Sequence, residues 1–135
     1  MLMPYLSFAG NCEEAFEFYA SIFGGEIEGL SRYTAATGGP ALDGKVMHAQ
    51  VVLGNGRCLA GADHEPPAKA ESTIQLLVHC ATGDEANRIF NGLSEGGHVI
   101  NKLTPHPPPD DGGMGALVRD KYGYHWILTA PNPDK

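Results

Sequence analysis

Hydrophobic and polar positions along this chain set up one rhythm and then repeat it. Met3 to Phe8 is a short apolar run suited to a strand, and Gly10-Asn11 ends it. Asn11 with Glu14 three residues on has the cap-x-x-Glu form of a helix start. Cys12, Phe16, Tyr19 and Phe23 then fall on one helical stripe, widened by Ala15, Phe18 and Ile22, and Gly24-Gly25 supplies a left-handed stop. Glu26 to Tyr33 reads as a strand, followed by a Gly-rich loop at Thr37-Gly38-Gly39-Pro40. Val46 to Leu53 and Arg57 to Ala62 form strands around Gly54-Asn55-Gly56, a hairpin signal because Asn-Gly accepts positive φ.

Beyond the polar, Pro-containing stretch 66–71 the pattern restarts. Ser72 to His79 alternates as a half-buried strand, with Ile74, Leu76 and Val78 set against Gln75, Leu77 and His79. Thr82-Gly83-Asp84-Glu85 is a second helix start, Ala86, Ile89, Phe90 and Leu93 make its stripe, and Gly96-Gly97 ends it. Strands follow at His98 to Leu103, Met114 to Arg119 and Tyr124 to Thr129, the last two around Tyr122-Gly123, with a Pro-rich loop at 105–113. Caps, stripes and Gly-Gly stops recur at an offset of about seventy residues, the mark of a duplicated unit. The prediction is an α+β fold of two tandem βαβββ modules, residues 1–65 and 72–135, joined by a linker at 66–71 into one domain. One such unit cannot cover its own sheet, whereas two can pair across a shared core.

Composition narrows the function. At 135 residues the chain is of single-domain size, and its 18 Gly and 10 Pro fit a fold with many tight turns. With 9 Lys and Arg against 16 Asp and Glu the net charge is −7, and no basic stripe offsets it, so neither a nucleic-acid nor a membrane-surface partner is expected. Cys12, Cys58 and Cys80 show no metal-binding spacing and read as reduced, mostly buried thiols. The start, Met1-Leu2-Met3-Pro4-Tyr5, lacks a basic segment followed by an apolar core, so no leader is expected and a cytoplasmic location follows.

Several segments carry a resemblance: Pro4-Tyr5-Leu6-Ser7-Phe8-Ala9-Gly10-Asn11, Phe23-Gly24-Gly25-Glu26-Ile27, Lys45-Val46-Met47-His48-Ala49, Ala62-Asp63 and Asp120-Lys121-Tyr122-Gly123-Tyr124-His125-Trp126. In these the chain resembles the PhnB-like branch of the vicinal oxygen chelate superfamily, which includes glyoxalase I, extradiol dioxygenases and bleomycin-resistance proteins. The resemblance implies the glyoxalase/bleomycin resistance fold, a cupped mixed sheet with its helices on the outside, and a homodimer, and leaves open whether modules pair within or between chains. Metal-dependent members place His, Gln or Glu at four strand positions that correspond here to Pro4, Ala60, Thr73 and Ile127, none a competent ligand. No metal residue and no cofactor is therefore expected, a divalent ion being the alternative. Members of the branch have been labelled methyltransferase-like, but no Gly-rich loop opens a helix after the first strand, and no methyl-donor site is expected. Relatives usually carry Phe-Trp-Gly in the loop that here runs Pro105-His106-Pro107-Pro108-Pro109-Asp110-Asp111-Gly112-Gly113, a stiff acidic replacement.

Among residues that bear chemistry, His48 and Asp63 are the catalytic candidates. His48 shares the cup-facing parity with Gln50, while Ala49 and Val51 pack under the helix, and an imidazole in an apolar cup suits acid–base work. Asp63 is expected either to orient His48 or to cap a turn. The candidate ligand-binding set is Tyr5, Phe8, His48, Gln50, Cys58, Gln75, Leu77 and His125, with Leu6 and Ala60 among the apolar cup positions. Tyr33 is a further pocket candidate, Trp126 is expected against a helix, and His98 and His106 at the surface. Two classes of function stay open. One is a protein that binds a small, partly apolar molecule without turnover. The other is a lyase, isomerase or dioxygenase, driven by a metal or by His48, acting on a small oxygenated substrate.

Overall fold

A computed structural model describes residues 2–65 and 74–135, so the expected linker at 66–71 and Thr73 lie outside the described residues. In chain order the elements are β1 (Tyr5–Phe8), α1 (Cys12–Phe23), β2 (Glu26–Arg32), α2 (Ala35–Leu42), β3 (Val46–Val52), β4 (Cys58–Asp63), β5 (Gln75–His79), α3 (Gly83–Ser94), β6 (His98–Pro105), β7 (Gly113–Arg119) and β8 (His125–Pro131). The chain divides into two compact units, Met1–Ala70 and Glu71–Lys135. Each holds a four-stranded mixed sheet, ordered β1-β4-β3-β2 in the first and β5-β8-β7-β6 in the second. In both, the first strand runs parallel to the last and the other neighbours are antiparallel. This is the expected α+β pair of βαβββ modules.

The periodicity explains each core. In the first unit Cys12, Ala15, Phe16 and Tyr19 of α1 are wholly buried together with Val51 and Ala49 of β3. Phe8 meets Phe16 edge-on, with ring centroids 5.7 Å apart. In the second, Ala86, Ile89 and Leu93 of α3 are buried, as are Val118, Trp126 and Leu128. Each fully buried Val, Leu, Ile or Phe among these contributes about 1.5–3 kcal/mol, and each Ala less.

The two helix starts differ. Thr82 caps α3 as expected, its hydroxyl accepting from the Glu85 N–H at 3.1 Å while Glu85 Oε2 accepts from Ala81 N–H at 3.0 Å. Asn11 does not cap α1 with its side chain. Instead Asp63 Oδ1 accepts from the N–H groups of Gly10 (3.0 Å) and Cys12 (2.9 Å), and Oδ2 from Val46 N–H (2.9 Å). A carboxylate from the end of β4 thus ties together the start of α1 and the start of β3.

The Gly-rich loop expected at Thr37–Pro40 is instead the helical segment α2, two short turns joined at Gly39 (φ 74°, ψ 177°). Thr37 Oγ1 accepts from Thr34 N–H at 2.8 Å, and Thr34 C=O accepts from Gly38 N–H at 2.9 Å. Local Thr hydrogen bonds therefore start a helix that Gly-Gly-Pro composition argues against.

Candidate functional site

In each unit the helix covers one face of the sheet, and the register lists what the other face carries, since residues directly opposite in a ladder share a face. In the first unit Tyr5 lies opposite Ala60, Ala60 opposite Gln50, and Ser31 opposite His48. Cys58 lies opposite Val52 on the same side. Tyr5, His48, Gln50, Cys58 and Ala60 therefore share the helix-free face. Tyr5 and His48 meet there: the phenol oxygen is 3.2 Å from Nδ1, and the rings stack at 29° with centroids 5.8 Å apart. Partial burial, with Cys12 and Tyr33 adding to it, pushes the Tyr5 phenol above its ordinary value. It thus stays protonated at neutral pH and can serve Nδ1 as donor. A neutral His48 then carries its own proton on Nε2.

Two expectations are corrected. Phe8 and Leu6 are not on this face; both are 6% exposed, and Phe8 packs on Phe16. In the four-residue β1 the alternation puts Tyr5 and Ser7 out and Leu6 and Phe8 under the helix. Asp63 does not orient His48. It is 1% exposed on the helix side, both carboxylate oxygens are engaged by the three backbone N–H groups above, and its carbonyl accepts from the Tyr33 hydroxyl at 3.1 Å. His48 is on the opposite face, so Asp63 is a capping residue and Tyr5 is the partner of the imidazole.

In the second unit Gln75 lies opposite His125, Leu77 opposite Ile127, and His79 opposite Thr129, so Gln75, Leu77, His79 and His125 share its helix-free face. His79 Nδ1 and Thr129 Oγ1 are 2.6 Å apart. Trp126 is buried on the helix side, where its Nε1–H donates to Asp120 Oδ2 at 2.8 Å. His98 is exposed as expected, but His106 is half-buried. Its ring occupies the space beside Gly115, where a Cβ would lie 2.5 Å from the imidazole Cε1. The legible signal was Gly113-x-Gly115 inside a strand, since glycine there marks close approach of another group.

Whether these residues suit a divalent ion can be tested. Of the four positions the superfamily uses, Pro4, Ala60 and Ile127 are described and carry no donor side chain. No three His, Cys, Asp or Glu side chains converge among the described residues. The residues do not fit the superfamily metal site. A methyl-donor or phosphate site at the helix after β1 fits no better, because the Gly10 and Cys12 N–H groups that would face an anion are bound to Asp63.

The thiols differ in consequence. Burial first, then the negative charges of Asp63 and Glu13, push Cys12 up to about 12, and it is fully buried. Cys58 is half-buried on the helix-free face. Under native conditions a thiol-specific disulfide reagent is expected to label Cys58 about 100-fold faster than Cys12. Mass spectrometry of peptides from partially labelled protein checks the order, and equal rates would contradict it.

A four-stranded βαβββ unit built twice, with a helix on one face and polar groups on the other, is the plan of the vicinal oxygen chelate class. Residues 1–129 match the family described as 3-demethylubiquinone-9 3-methyltransferase, and the chain belongs to that PhnB-like family. Protein YjdN of Escherichia coli (strain K12) is 28% identical over 141 residues, covering 95% of this chain and 93% of that one. The structure of a putative 3-demethylubiquinone-9 3-methyltransferase, PhnB protein, from Bacillus cereus is 31% identical, with a TM-score of 0.80 over 96% of this chain and 98% of that one. A glyoxalase family protein from Bacillus cereus shares the fold at 14% identity, with a TM-score of 0.65 over 97% of this chain and 93% of that one.

Proposed function

We propose that this chain binds a small, partly apolar molecule on the helix-free faces of its sheets, without the divalent ion other superfamily members use. The observation that carries this reading is the Tyr5–His48 pair, 3.2 Å apart on a helix-free face. An apolar floor with a few placed polar groups is the usual make-up of a small-molecule site. Ala60 and Cys58 supply the floor, while His48 Nε2 and the Gln50 amide are the groups a ligand would address. The methyl transfer in the family description is not carried over, since the helix start after β1 already holds an internal carboxylate.

Indole, quinoline and benzamide are suitable probes, titrated into 15N-labelled protein. The expected result is saturable shifts of the Tyr5, His48 and Gln50 amides for at least one of them. His48→Ala should weaken that probe about tenfold, the loss of one good hydrogen bond, with thermal stability little changed. Shifts confined to other residues, or affinity unchanged in His48→Ala, would overturn the assignment.

One observation favours a second, enzymatic reading. Tyr5 against His48 is a hydrogen-bonded acid–base couple, able to move a proton to or from a bound carbonyl or hydroxyl group without a metal. Solvent deuterium appearing at the α-carbon of a bound ketone, and disappearing in His48→Ala, would support it. Exchange at the buffer rate would leave binding alone.

A further inference from the structure

The first unit supplies hydrogen-bonding groups. The helix-free face of the second unit has a different electrostatic character, and it says something about ligand charge. Across the sheet at one end, His98 lies opposite Arg119, and Arg119 opposite His125. Guanidinium and two imidazoles therefore form one continuous row over three strands. Two residues along, Leu117 lies opposite Ile127 and Ile127 opposite Leu77, which makes an apolar row. Two residues further, Gly115 lies opposite Thr129 and Thr129 opposite His79, with the His106 ring seated beside Gly115. The face thus reads basic, apolar, then hydrogen-bonding, over about 13 Å of strand.

Three further observations give the row meaning. No residue that the ladders place on this face is acidic, although the chain carries 16 acidic against 9 basic residues. Arg119 and His98 are exposed and His125 is half-buried, and among the described residues no carboxylate pairs with any of the three. Leu77 is 53% exposed beside them, so the apolar row is open too. An acid-free row of cationic and donor groups beside an open apolar strip complements an anionic head on an apolar body. A guanidinium suits the two oxygens of a carboxylate in particular.

We propose that the second unit selects an organic acid. Its carboxylate is held by Arg119 with His98 and His125, its flat apolar body lies over Leu117, Ile127 and Leu77, and a hydroxyl at the far end faces His79 and His106. This rests on the reading that the helix-free faces bind a small molecule. It adds the charge of that molecule and the residue that reads it.

A matched pair of probes separates the two claims: 4-hydroxyphenylacetate and its neutral isostere 4-hydroxyphenylacetamide, each titrated by calorimetry at low and high salt. The acid is expected to bind at least tenfold tighter than the amide at low salt, and the difference should shrink as salt rises. Arg119→Gln should remove the preference by weakening the acid far more than the amide, and Arg119→Lys should restore part of it. Equal affinities in the parent protein, or a preference that survives Arg119→Gln, would overturn the proposed charge selection and leave the broader reading standing. Failure of both probes to bind while an aromatic probe above binds would overturn the organic-acid proposal alone, and silence of all the probes would overturn both readings.

Discussion

Replacing Asp63 with alanine is expected to destabilise the first unit by about 3–4 kcal/mol, among the larger effects a single substitution in this chain can have. The carboxylate accepts from Gly10, Cys12 and Val46 N–H groups at 2.9 to 3.0 Å, and the residue is 1% exposed. Alanine leaves those donors facing a void too enclosed to rehydrate freely, and each unmet buried donor costs about 1–3 kcal/mol, less where water reaches it. Asparagine should cost less, about 2 kcal/mol, because its oxygen can replace one carboxylate oxygen while its amide nitrogen confronts the remaining N–H. Urea denaturation of the two variants should rank them in that order. A loss below 1 kcal/mol for Asp63→Ala would show that the three contacts stabilise nothing. A second readout separates capping from chemistry: the His48 ring 15N resonances should not move in Asp63→Asn, since Asp63 and His48 occupy opposite faces of the sheet.

Much of the fold was legible because its signals are local. A helical stripe such as Cys12, Phe16, Tyr19 and Phe23, a cap such as Thr82 with Glu85, and a turn such as Gly54-Asn55-Gly56 each need only a few neighbouring residues. In the structure the stripe is buried, the cap is bonded, and Asn55 takes a φ of 53°. The failures share the opposite property. Asp63 caps a helix more than fifty residues away in sequence, an acceptor that no local motif announces. Alternation along β1 separates Tyr5 and Ser7 from Leu6 and Phe8, so the expectation that joins Tyr5 with Phe8 and Leu6 breaks the strand's own parity; which pair the helix covers is set by packing, here of Phe8 on Phe16. Missing α2 had a third cause: Thr34 and Thr37 supply hydrogen bonds that offset the poor helix propensity of Gly38, Gly39 and Pro40.

The candidate site followed the same division. Parity on β3 and β8 put His48, Gln50 and His125 on the helix-free faces, and those strands are seven residues long. What parity cannot give is the identity of the neighbour across the sheet. His48 meets Tyr5 and not Asp63, and His106 reaches Gly115 from a loop, because both contacts depend on the tertiary approach of segments. The duplication also misleads in one respect. Each unit buries an aspartate that accepts several hydrogen bonds, but at different places: Asp63 closes β4 in the first, whereas Asp120 holds Tyr122 N–H, Tyr124 N–H and the Trp126 indole after β7 in the second. Topology is copied between the halves, while the polar interior is not.

The Gly-Gly stops give the second large effect, and they separate two reasons for using glycine. Gly24 has a φ of 74° and open space around it, so Gly24→Ala should cost only the left-handed backbone penalty, about 1–2 kcal/mol. For Gly25 the constraint is contact: a Cβ would lie 1.8 Å from Val52 C=O, a backbone atom with no rotamer through which to escape. Gly25→Ala should therefore cost about 3 kcal/mol or more and push β2 away from β3. The second unit repeats the arrangement, with Gly96 at φ 73° and a Cβ on Gly97 2.3 Å from Arg119 C=O, so Gly97→Ala should again exceed Gly96→Ala. Chemical denaturation of the four variants tests the ranking, and a Gly24 variant weaker than its Gly25 counterpart would sink the contact argument. The consequence reaches the site, because Glu26 opposite Val52 and Ser31 opposite His48 belong to one ladder. A β2 displaced at Gly25 would therefore loosen the strand that pairs with His48 and Gln50, while Ala49 and Val51 buried under the helix keep those two side chains on the opposite face.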